Sequence, residues 1–187
     1  MKALILSANN FEDLELLVPL YRLQEAGYGV DIAASETGSI SGKHGYAVLV
    51  DKIFVDVDPA DYAVLILPGG KAPAEIRDKP SVQTIVRAFF NADKPVGAIC
   101  HGPKILVSAG LLNGRRATCC RTVAKYLQDA GAEYLDSEVV VDGRLVTSRQ
   151  PDDLPAFMRE LMLLLPPKTD TITNPDFPIP ESSVSCP

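Results

Sequence analysis

The chain has 187 residues, a length that suits one α/β domain with a full core and is short for two. Hydrophobic residues make up 47% of it and charged residues 22%, as in ordinary globular proteins, and the net charge is −6 without a basic run. This acidic balance argues against nucleic acid and anionic membranes as main partners.

The chain shows no sequence signal for a membrane or for secretion. No apolar stretch is long enough to span a bilayer, and residues 1–6 are too short for a signal peptide. We therefore expect a cytoplasmic protein. Its cysteines, Cys100, Cys119, Cys120 and Cys186, are expected to be thiols, because disulfide frameworks belong to smaller secreted domains. The adjacent pair Cys119 and Cys120 matches no zinc-ligand spacing, so no metal is expected; both are interpreted as small strand-end residues rather than resolving thiols.

The first half of the chain alternates predicted strands and helices. Residues 2–7 form a near-continuous apolar run, which is typical of a parallel strand buried on both faces. Apolar residues then recur at helical spacing from Leu14 to Leu23, ahead of a stop at Gly27. Strands are predicted over 30–34 and 62–67, a small antiparallel excursion over 42–57, and a helix over 80–91.

The second half continues the same alternation. A strand is predicted over 96–99, a helix over 104–111, a short strand at 117–118 and a helix over 123–130. A hairpin of 138–141 with 145–148 around Asp142 and Gly143 precedes an amphipathic helix over 152–165. The pattern predicts an α/β fold over 1–165 with a doubly wound, mainly parallel sheet that binds ligands at the C-terminal ends of its strands. Residues 166–187 are proline-rich and are predicted to form a tail, either disordered or laid over a neighbouring subunit.

Residues 96–103, VGAICHGP, are the most informative segment of the chain. An apolar run ends at Cys100, and a new helical pattern begins directly after His101, Gly102 and Pro103. This arrangement predicts a strand that turns tightly into a helix, with Gly102 small enough to permit the turn. A thiol above a helix N-terminus gains from the exposed N–H groups and the helix dipole, which predicts a lowered pKa. The segment is interpreted as a nucleophile elbow at Cys100.

Two further strand ends are expected to meet this elbow in one crevice. Residues 11–15 follow the first strand, and Pro68, Gly69 and Gly70 follow the strand at 62–67. A carboxylic acid near a thiolate can share a proton with it and act as a general acid or base. Backbone N–H groups around Gly69 and Gly70, and after Cys100, can hold a developing oxyanion.

Several of these residues also have a purely structural interpretation. Glu12, Asp13 and Glu15 fall in the first turn of a predicted helix, where acidic side chains complement the helix dipole. Glu15 is favoured as functional because the fold directs it toward the strand of Cys100. His44 is interpreted as a loop or interface residue.

Five ordered motifs of the chain occur together: ANNFEDLEL at 8–16, TGSISGKHGY at 37–46, LPGGKAP at 67–73, PVGAICHGP at 95–103, and VVVDG at 139–143 with TSR at 147–149. Together they resemble the DJ-1/PfpI superfamily, and specifically its PfpI-like branch, over the whole domain up to Leu165. The resemblance implies a flavodoxin-like three-layer sandwich. It also implies homo-oligomers, in this branch dimers that can assemble into hexameric rings.

The resemblance further implies roles for individual residues. Cys100 is the nucleophile, and Glu15 is the carboxylic acid against its sulfur. Glu12 polarises the substrate or transfers protons, and His101 is a general base. The main-chain N–H groups of Gly70 and His101 form the oxyanion site, and no metal or organic cofactor is needed.

One position departs from the pattern of the PfpI-like peptidases. These use a Cys-His-Glu triad whose Glu comes from a neighbouring subunit, just after the Gly-Gly-x-Ala-Pro segment. This chain has Ala74 at that place, and Glu75 stands one residue later. One residue is a rotation of about 100° on a helix. Glu75 is therefore a candidate triad acid whose reach to His101 is in doubt.

Three functional hypotheses follow. The first is a cofactor-independent cysteine enzyme for small reactive carbonyls, of the glyoxalase and deglycase type, which converts 2-oxoaldehydes to 2-hydroxy acids. The second is an ATP-independent peptidase or amidase that uses the same nucleophile on peptides. The third is a non-enzymatic redox sensor or stress chaperone, because an exposed thiol of low pKa near a carboxyl is suited to forming a sulfinic acid.

Overall fold

A seven-stranded sheet forms the centre of the protein, whose computed structural model describes residues 1–166. The predicted tail, from residue 167 onward, lies outside the described residues. The spatial order of the strands is β10-β11-β7-β6-β1-β2-β5, and every neighbouring pair is parallel except β10 with β11. These strands are β1 (Lys2–Leu6), β2 (Gly29–Ala34), β5 (Lys52–Ile53), β6 (Tyr62–Leu67), β7 (Val96–Ile99), β10 (Val139–Asp142) and β11 (Leu145–Ser148). The predicted doubly wound, mainly parallel sheet is confirmed.

The central strands are apolar along their whole length because both faces of the sheet are covered. Residues 3–6 of β1 and 64–67 of β6 are all buried, as is every residue of β7. Helices α1 (Asp13–Glu25) and α6 (Leu154–Leu163) pack together on one face. The other face carries α3 (Pro80–Asn91), α4 (Pro103–Ser108) and α5 (Ala124–Asp129), with the short α2 (Ala72–Ile76) against α4. The result is a three-layer sandwich. None of the described helices is long and apolar enough to cross a membrane.

Two small two-stranded sheets lie outside the main one. The predicted excursion over 42–57 is an antiparallel hairpin of β3 (Gly38–Ser41) and β4 (Ala47–Val50). Gly42 lies in the turn between these two strands and not at the start of the hairpin. After β4 the chain returns to the main sheet as β5. The second small sheet pairs β8 (Arg116–Ala117) with β9 (Glu133–Tyr134), a strand that the sequence pattern did not indicate.

The helix boundaries differ from the predicted ones mainly at their ends. The helix predicted over 104–111 is α4, which begins at Pro103 and ends at Ser108 ahead of Gly110, where φ is 72°. Glycine adopts this left-handed conformation without steric cost, so the helix ends there. The final helix is preceded by a 3₁₀ turn over Pro151–Asp153. Helix α2 was not predicted because its five residues are too few to show a helical period.

Gly97 in β7 allows α6 to pack closely on the sheet. A Cβ atom at this position would lie 2.7 Å from Cζ of Phe157, a fully buried side chain of α6. A methyl group would therefore push the helix away from the strand that ends at Cys100. Gly29, at the start of β2, has only a flexible lysine side chain, Lys2, at 3.5 Å.

We expect Gly97→Ala to lower the free energy of unfolding by about 1–3 kcal/mol, because overpacking a closed core strains its neighbours. Gly29→Ala, the matched strand control, is expected to stay within about 0.5 kcal/mol of the wild type. Urea unfolding followed by circular dichroism measures both. Equal stabilities of the two variants would contradict the close packing at Gly97.

Candidate active site

Cys100 occupies a strained turn between β7 and α4. Its φ angle is 60°, in the left-handed region that residues other than glycine rarely adopt. Two hydrogen bonds hold the turn: the Cys100 N–H donates to Ser148 O at 3.0 Å, and the Cys120 N–H donates to Cys100 O at 3.1 Å. A Cβ atom on Gly102 would lie 2.1 Å from Leu67 O, so only glycine fits there. The predicted strand-turn-helix arrangement is present, with the sulfur lifted from the end of the sheet.

Glu15 lies in the first turn of α1 and is fully buried against this elbow. Its Oε2 accepts a hydrogen bond from the Gly69 N–H at 2.8 Å, and the carboxyl lies beside the Cys100 side chain. Burial raises the pKa of Glu15 to about 8, which outweighs the opposing effect of the Gly69 N–H. Glu15 is thus a protonated acid at neutral pH and a base once it is ionised.

The backbone donors at the site are divided between the carboxyl and the sulfur. The N–H of Gly69 is used by Glu15, so the expectation that it helps to hold an oxyanion is wrong. Gly70, with φ 79°, forms a bridge with Phe11, and its N–H faces the Cys100 sulfur. Among residues 1–166, the N–H of His101 donates to no other backbone group. These two N–H groups are those that the sequence assigned to the oxyanion site.

Glu12 reaches the crevice with a lysine that the sequence interpretation did not single out. The carboxyl of Glu12 is buried, with 7% of its side chain exposed, and it forms an ion pair with the Lys43 ammonium. His44 Nε2 lies 3.9 Å from the other oxygen of Glu12. The hydrogen bond to Glu12 raises the pKa of Lys43, and the charges of Cys100 and Glu15 add to this effect. Lys43 therefore supplies a positive charge beside the acidic groups of the site.

The β3–β4 connection brings Lys43 to this place because Asp13 binds it. Asp13 is buried, and its two carboxylate oxygens accept the N–H groups of His44 at 2.9 Å and Tyr46 at 3.1 Å. Gly42 packs so closely on this carboxylate that a Cβ atom would lie 2.3 Å from it. Asp13 thus has a positioning function rather than only complementing the helix dipole. The Gly-Lys-His-Gly motif at 42–45 was the sequence signal for this contact.

His101 lies between two sulfur atoms. Its Nδ1 is 3.2 Å from Cys100 Sγ, and its two ring nitrogens are 3.6 and 3.7 Å from Cys120 Sγ. Cys120 also contacts Thr122 Oγ1 at 3.2 Å. The interpretation of Cys120 as a plain strand-end residue is therefore wrong, because the loop after β8 turns its side chain into the site. Cys119 is fully buried in the core, as expected.

The two thiols titrate as one pair because their sulfur atoms lie within 4.8 Å of each other. The neighbouring Cys100 thiol lowers the pKa of Cys120 to about 4, with His101 and Thr122 adding to the effect. The neighbouring Cys120, together with burial and the charge of Glu15, raises the pKa of Cys100. The sequence predicted a lowered pKa for Cys100, whereas in the structure the low pKa belongs to Cys120. The pair holds one negative charge at neutral pH, next to the nucleophile.

Glu75 does not join this group in the described chain. It is exposed on α2 and lines a separate cleft with Asn9, Ser35 and Glu36. Its assignment as a triad acid that reaches a neighbouring subunit stays a prediction.

Two clusters in the described part of the chain carry metal-ligand atom types within 4.8 Å of one another. One consists of Cys100, His101 and Cys120, and the other of Glu12, Asp13 and His44. The carboxylates of the second cluster are already bonded to Lys43 and to backbone N–H groups. The first cluster offers two thiols and an imidazole, atom types that serve both as zinc ligands and in thiol chemistry.

The sequence and the fold are similar to those of known proteins. The family model described as the DJ-1/PfpI family matches residues 1–164. Deglycase TK1284 of Thermococcus kodakarensis is 52% identical over 165 residues, covering 88% of this chain and 99% of that protein. Protein/nucleic acid deglycase 2 of Escherichia coli is 44% identical over 167 residues, covering 88% and 97%. A crystal structure of a two-domain protein from Anabaena variabilis, with DJ-1/ThiJ/PfpI-like and ferritin-like domains, superposes with a TM-score of 0.84 at 32% identity and covers 90% of this chain and 51% of that one.

The raised pKa of Glu15 makes the stability of the fold depend on pH. Folding raises this pKa from 4.5 to about 8, so the folded state keeps a proton that the unfolded chain releases. The stabilisation is fully present below pH 4.5 and is lost as the pH rises to about 8. Each unit of pKa difference is worth about 1.4 kcal/mol, which gives a penalty on the order of 3 kcal/mol at pH 7.

Glu15→Gln keeps the acceptor for Gly69 and removes this penalty. We expect its free energy of unfolding to rise relative to the wild type between pH 5 and pH 8, by about 3 kcal/mol at pH 7. Urea unfolding at several pH values measures the difference. Glu25→Gln, an exposed change at the end of the same helix, is the control and is expected to show no such trend. A difference between Glu15→Gln and the wild type that stays constant with pH would contradict burial of an ionisable Glu15.

Proposed function

The chain belongs to the DJ-1/PfpI family, and we propose that it is a cofactor-independent cysteine enzyme of the deglycase and glyoxalase type that acts on small reactive carbonyls. The observation that carries the proposal is the contact of Glu15, with its pKa of about 8, with the thiol of Cys100. An acid whose pKa lies slightly above neutral pH can donate its proton and take one back during turnover. The deglycase names of the T. kodakarensis and E. coli relatives support the same class of chemistry.

The first step is attack of Cys100 on the aldehyde carbon of a 2-oxoaldehyde. The proton of the Cys100 thiol moves to the neighbouring sulfur of Cys120 as the carbon–sulfur bond forms. The N–H groups of Gly70 and His101 face the place where the carbonyl oxygen gains charge, and Glu15 donates its proton to that oxygen. The product of this step is a hemithioacetal.

The second step moves a proton between adjacent carbons. Glu15, now ionised, removes the hydrogen from the carbon that carries sulfur and returns it to the neighbouring carbon. The hydroxyl proton on the sulfur-bearing carbon passes to the oxygen of that neighbouring carbon, which leaves a thioester of a 2-hydroxy acid. Lys43, held by its ion pair with Glu12, lies beside the site and stabilises the negative charge that the intermediate places on the second oxygen. Water then hydrolyses the thioester and restores the Cys100 thiol. An aldehyde already attached to an amine enters the same route when sulfur displaces the amine.

The site supports the carbonyl reaction better than the peptidase hypothesis. The peptidase hypothesis requires an acid that orients His101, and within the described residues the neighbours of its ring are the sulfur atoms of Cys100 and Cys120. Its triad acid, Glu75, would have to come from a second copy of the chain. We also propose that the chain self-associates, because the apolar side chains of Leu14 and Tyr21 on α1 are exposed.

Purified protein is expected to convert methylglyoxal to lactate, measured with a lactate-specific enzymatic assay. Cys100→Ala is expected to reduce the rate to background, because the carbon–sulfur bond cannot form. Glu15→Gln keeps the hydrogen bond to Gly69 but cannot exchange protons, and kcat is expected to fall by about 10²-fold or more. Cys119→Ser, a buried cysteine outside the site, is the control for the loss of a thiol. Undiminished turnover by Cys100→Ala would overturn the proposal.

Glu75→Gln separates the carbonyl chemistry from the peptidase alternative. We expect its methylglyoxal turnover to equal that of the wild type, because Glu75 lines a different cleft. A fluorogenic peptide is assayed in parallel with the same preparations. Peptide cleavage that is lost in both Glu75→Gln and Cys100→Ala would favour the peptidase instead.

A further inference from the structure

We propose that Cys100 and Cys120 form a redox-active dithiol through which the protein reduces hydroperoxides, with a disulfide between the two residues as the intermediate. The proposal uses the nucleophile of the carbonyl reaction but needs no carbonyl substrate. It rests on the position of a second thiol that the first reaction does not consume.

The backbone already holds the two cysteines at a separation that a disulfide can bridge. The Cys120 N–H donates to Cys100 O at 3.1 Å, so their Cα atoms are as close as those of neighbouring strands. The two Sγ atoms and a ring nitrogen of His101 all lie within 4.8 Å of one another. Disulfides join Cα atoms about 4.4–6.8 Å apart and need sulfurs at about 2.0 Å, so the two side chains must rotate toward each other for the bond to form.

The surroundings of the pair also suit peroxide chemistry. Peroxides are attacked by thiolates, and the lowered pKa of Cys120 gives the two neighbouring sulfurs one negative charge at neutral pH. His101 contacts both sulfurs, and Glu15 is a buried acid against Cys100. A protonated acid at that position can donate a proton to the leaving oxygen of the peroxide.

The reaction needs only these side chains, a hydroperoxide and a reducing dithiol. The Cys100 thiol passes its proton to the Cys120 thiolate, and the Cys100 sulfur attacks the terminal oxygen of a hydroperoxide. The O–O bond breaks, and the departing alkoxide takes the proton of Glu15 to become an alcohol. Cys100 is now a sulfenic acid. The sulfur of Cys120 attacks it, a disulfide forms and water leaves, with the thiol proton of Cys120 and the hydroxyl of the sulfenic acid making that water. A small dithiol, itself oxidised to its disulfide, then restores both thiols by exchange.

Of the adjacent residues Cys119 and Cys120, only Cys120 lies in the site. It is fully buried in the core, and burial raises its pKa to about 12. Successive residues of an extended segment point to opposite sides, so Cys119 points into the core and Cys120 into the site. The chain thus supplies its own matched control for the loss of a neighbouring thiol.

Formation of the disulfide has two consequences for the nucleophile. It blocks carbonyl chemistry reversibly, since the Cys100 sulfur is no longer free. It also diverts the sulfenic acid from the irreversible sulfinic acid that the sequence led us to consider for Cys100. Oxidation of this protein is therefore expected to be a cycle rather than a terminal event.

The test uses the full chain with Cys186→Ser as the background, so that the C-terminal thiol cannot take part. Protein is treated with one equivalent of hydrogen peroxide, alkylated under denaturing conditions, digested without reductant and analysed by mass spectrometry. We expect one cross-linked peptide pair that joins Cys100 to Cys120, with the loss of two hydrogen atoms. Cys120→Ser is expected to yield Cys100 sulfinic acid instead, and Cys119→Ser to behave as the background protein.

Peroxide consumption in the presence of dithiothreitol gives the second readout. The background protein and Cys119→Ser are expected to turn over many equivalents, whereas Cys120→Ser stops after a single equivalent and is not restored by reductant. Sulfinic acid on Cys100 in the background protein, with no cross-link, would overturn the proposal. Both readouts are independent of methylglyoxal, so failure of the carbonyl reaction leaves this test intact.

Discussion

The left-handed turn at Cys100 is the constraint on which the rest of the site depends. A residue other than glycine at φ 60° costs about 1–3 kcal/mol, and it persists only where its surroundings impose it. Here the donors and acceptors of two neighbouring segments, at Ser148 and Cys120, hold the peptide groups of Cys100 in place. Gly102 permits the chain to pass against Leu67 directly afterwards. The sulfur is thereby raised above the sheet instead of being packed into it, at the single point where three strand ends meet.

Burial of Glu15 is the second condition, and it follows from the same convergence. Helix α1 starts close enough to the β6 end for a carboxyl in its first turn to accept the Gly69 N–H. A charged carboxylate in that position is unfavourable, so its pKa rises to the range where proton exchange is useful. Glu12, three residues earlier in the chain, is also buried, but the ammonium of Lys43 neutralises its charge. Two carboxyl groups three residues apart therefore have different tasks because one has a cation beside it and the other has a thiol.

The Cys100 thiol reacts together with the groups that surround it. Cys120, His101, Glu15 and the Gly70 N–H are all neighbours of the Cys100 sulfur, so that it has several proton donors and acceptors beside it. This arrangement connects the proposed carbonyl reaction to the proposed redox cycle: each begins with attack by the same sulfur, and each uses the neighbouring groups to supply or accept protons. Which of the two reactions proceeds depends on the electrophile that reaches the crevice. The first makes a thioester and the second a disulfide, and both return the same thiol.

Much of this protein is determined by its sequence. Apolar runs at 2–7, 62–67 and 96–99 can only be strands buried on both faces, because such runs are too short for buried helices and are separated by helical periods. The Cys-His-Gly-Pro segment after the last of them predicts the elbow, and the order of the motifs identifies the family. Glu15 was likewise predicted from the sequence, because it lies in the helix turn after the first strand, and the family resemblance added Glu12. Only the tertiary structure decided the contacts between segments that are distant in the chain. These are the hydrogen bond that removes Gly69 from the oxyanion site, the placement of Lys43 by Asp13, and the turn of Cys120 into the crevice. Periodicity reports which face of an element is buried, but the direction of a side chain in a loop, and the pKa that its neighbours impose, depend on where the folded chain places those neighbours.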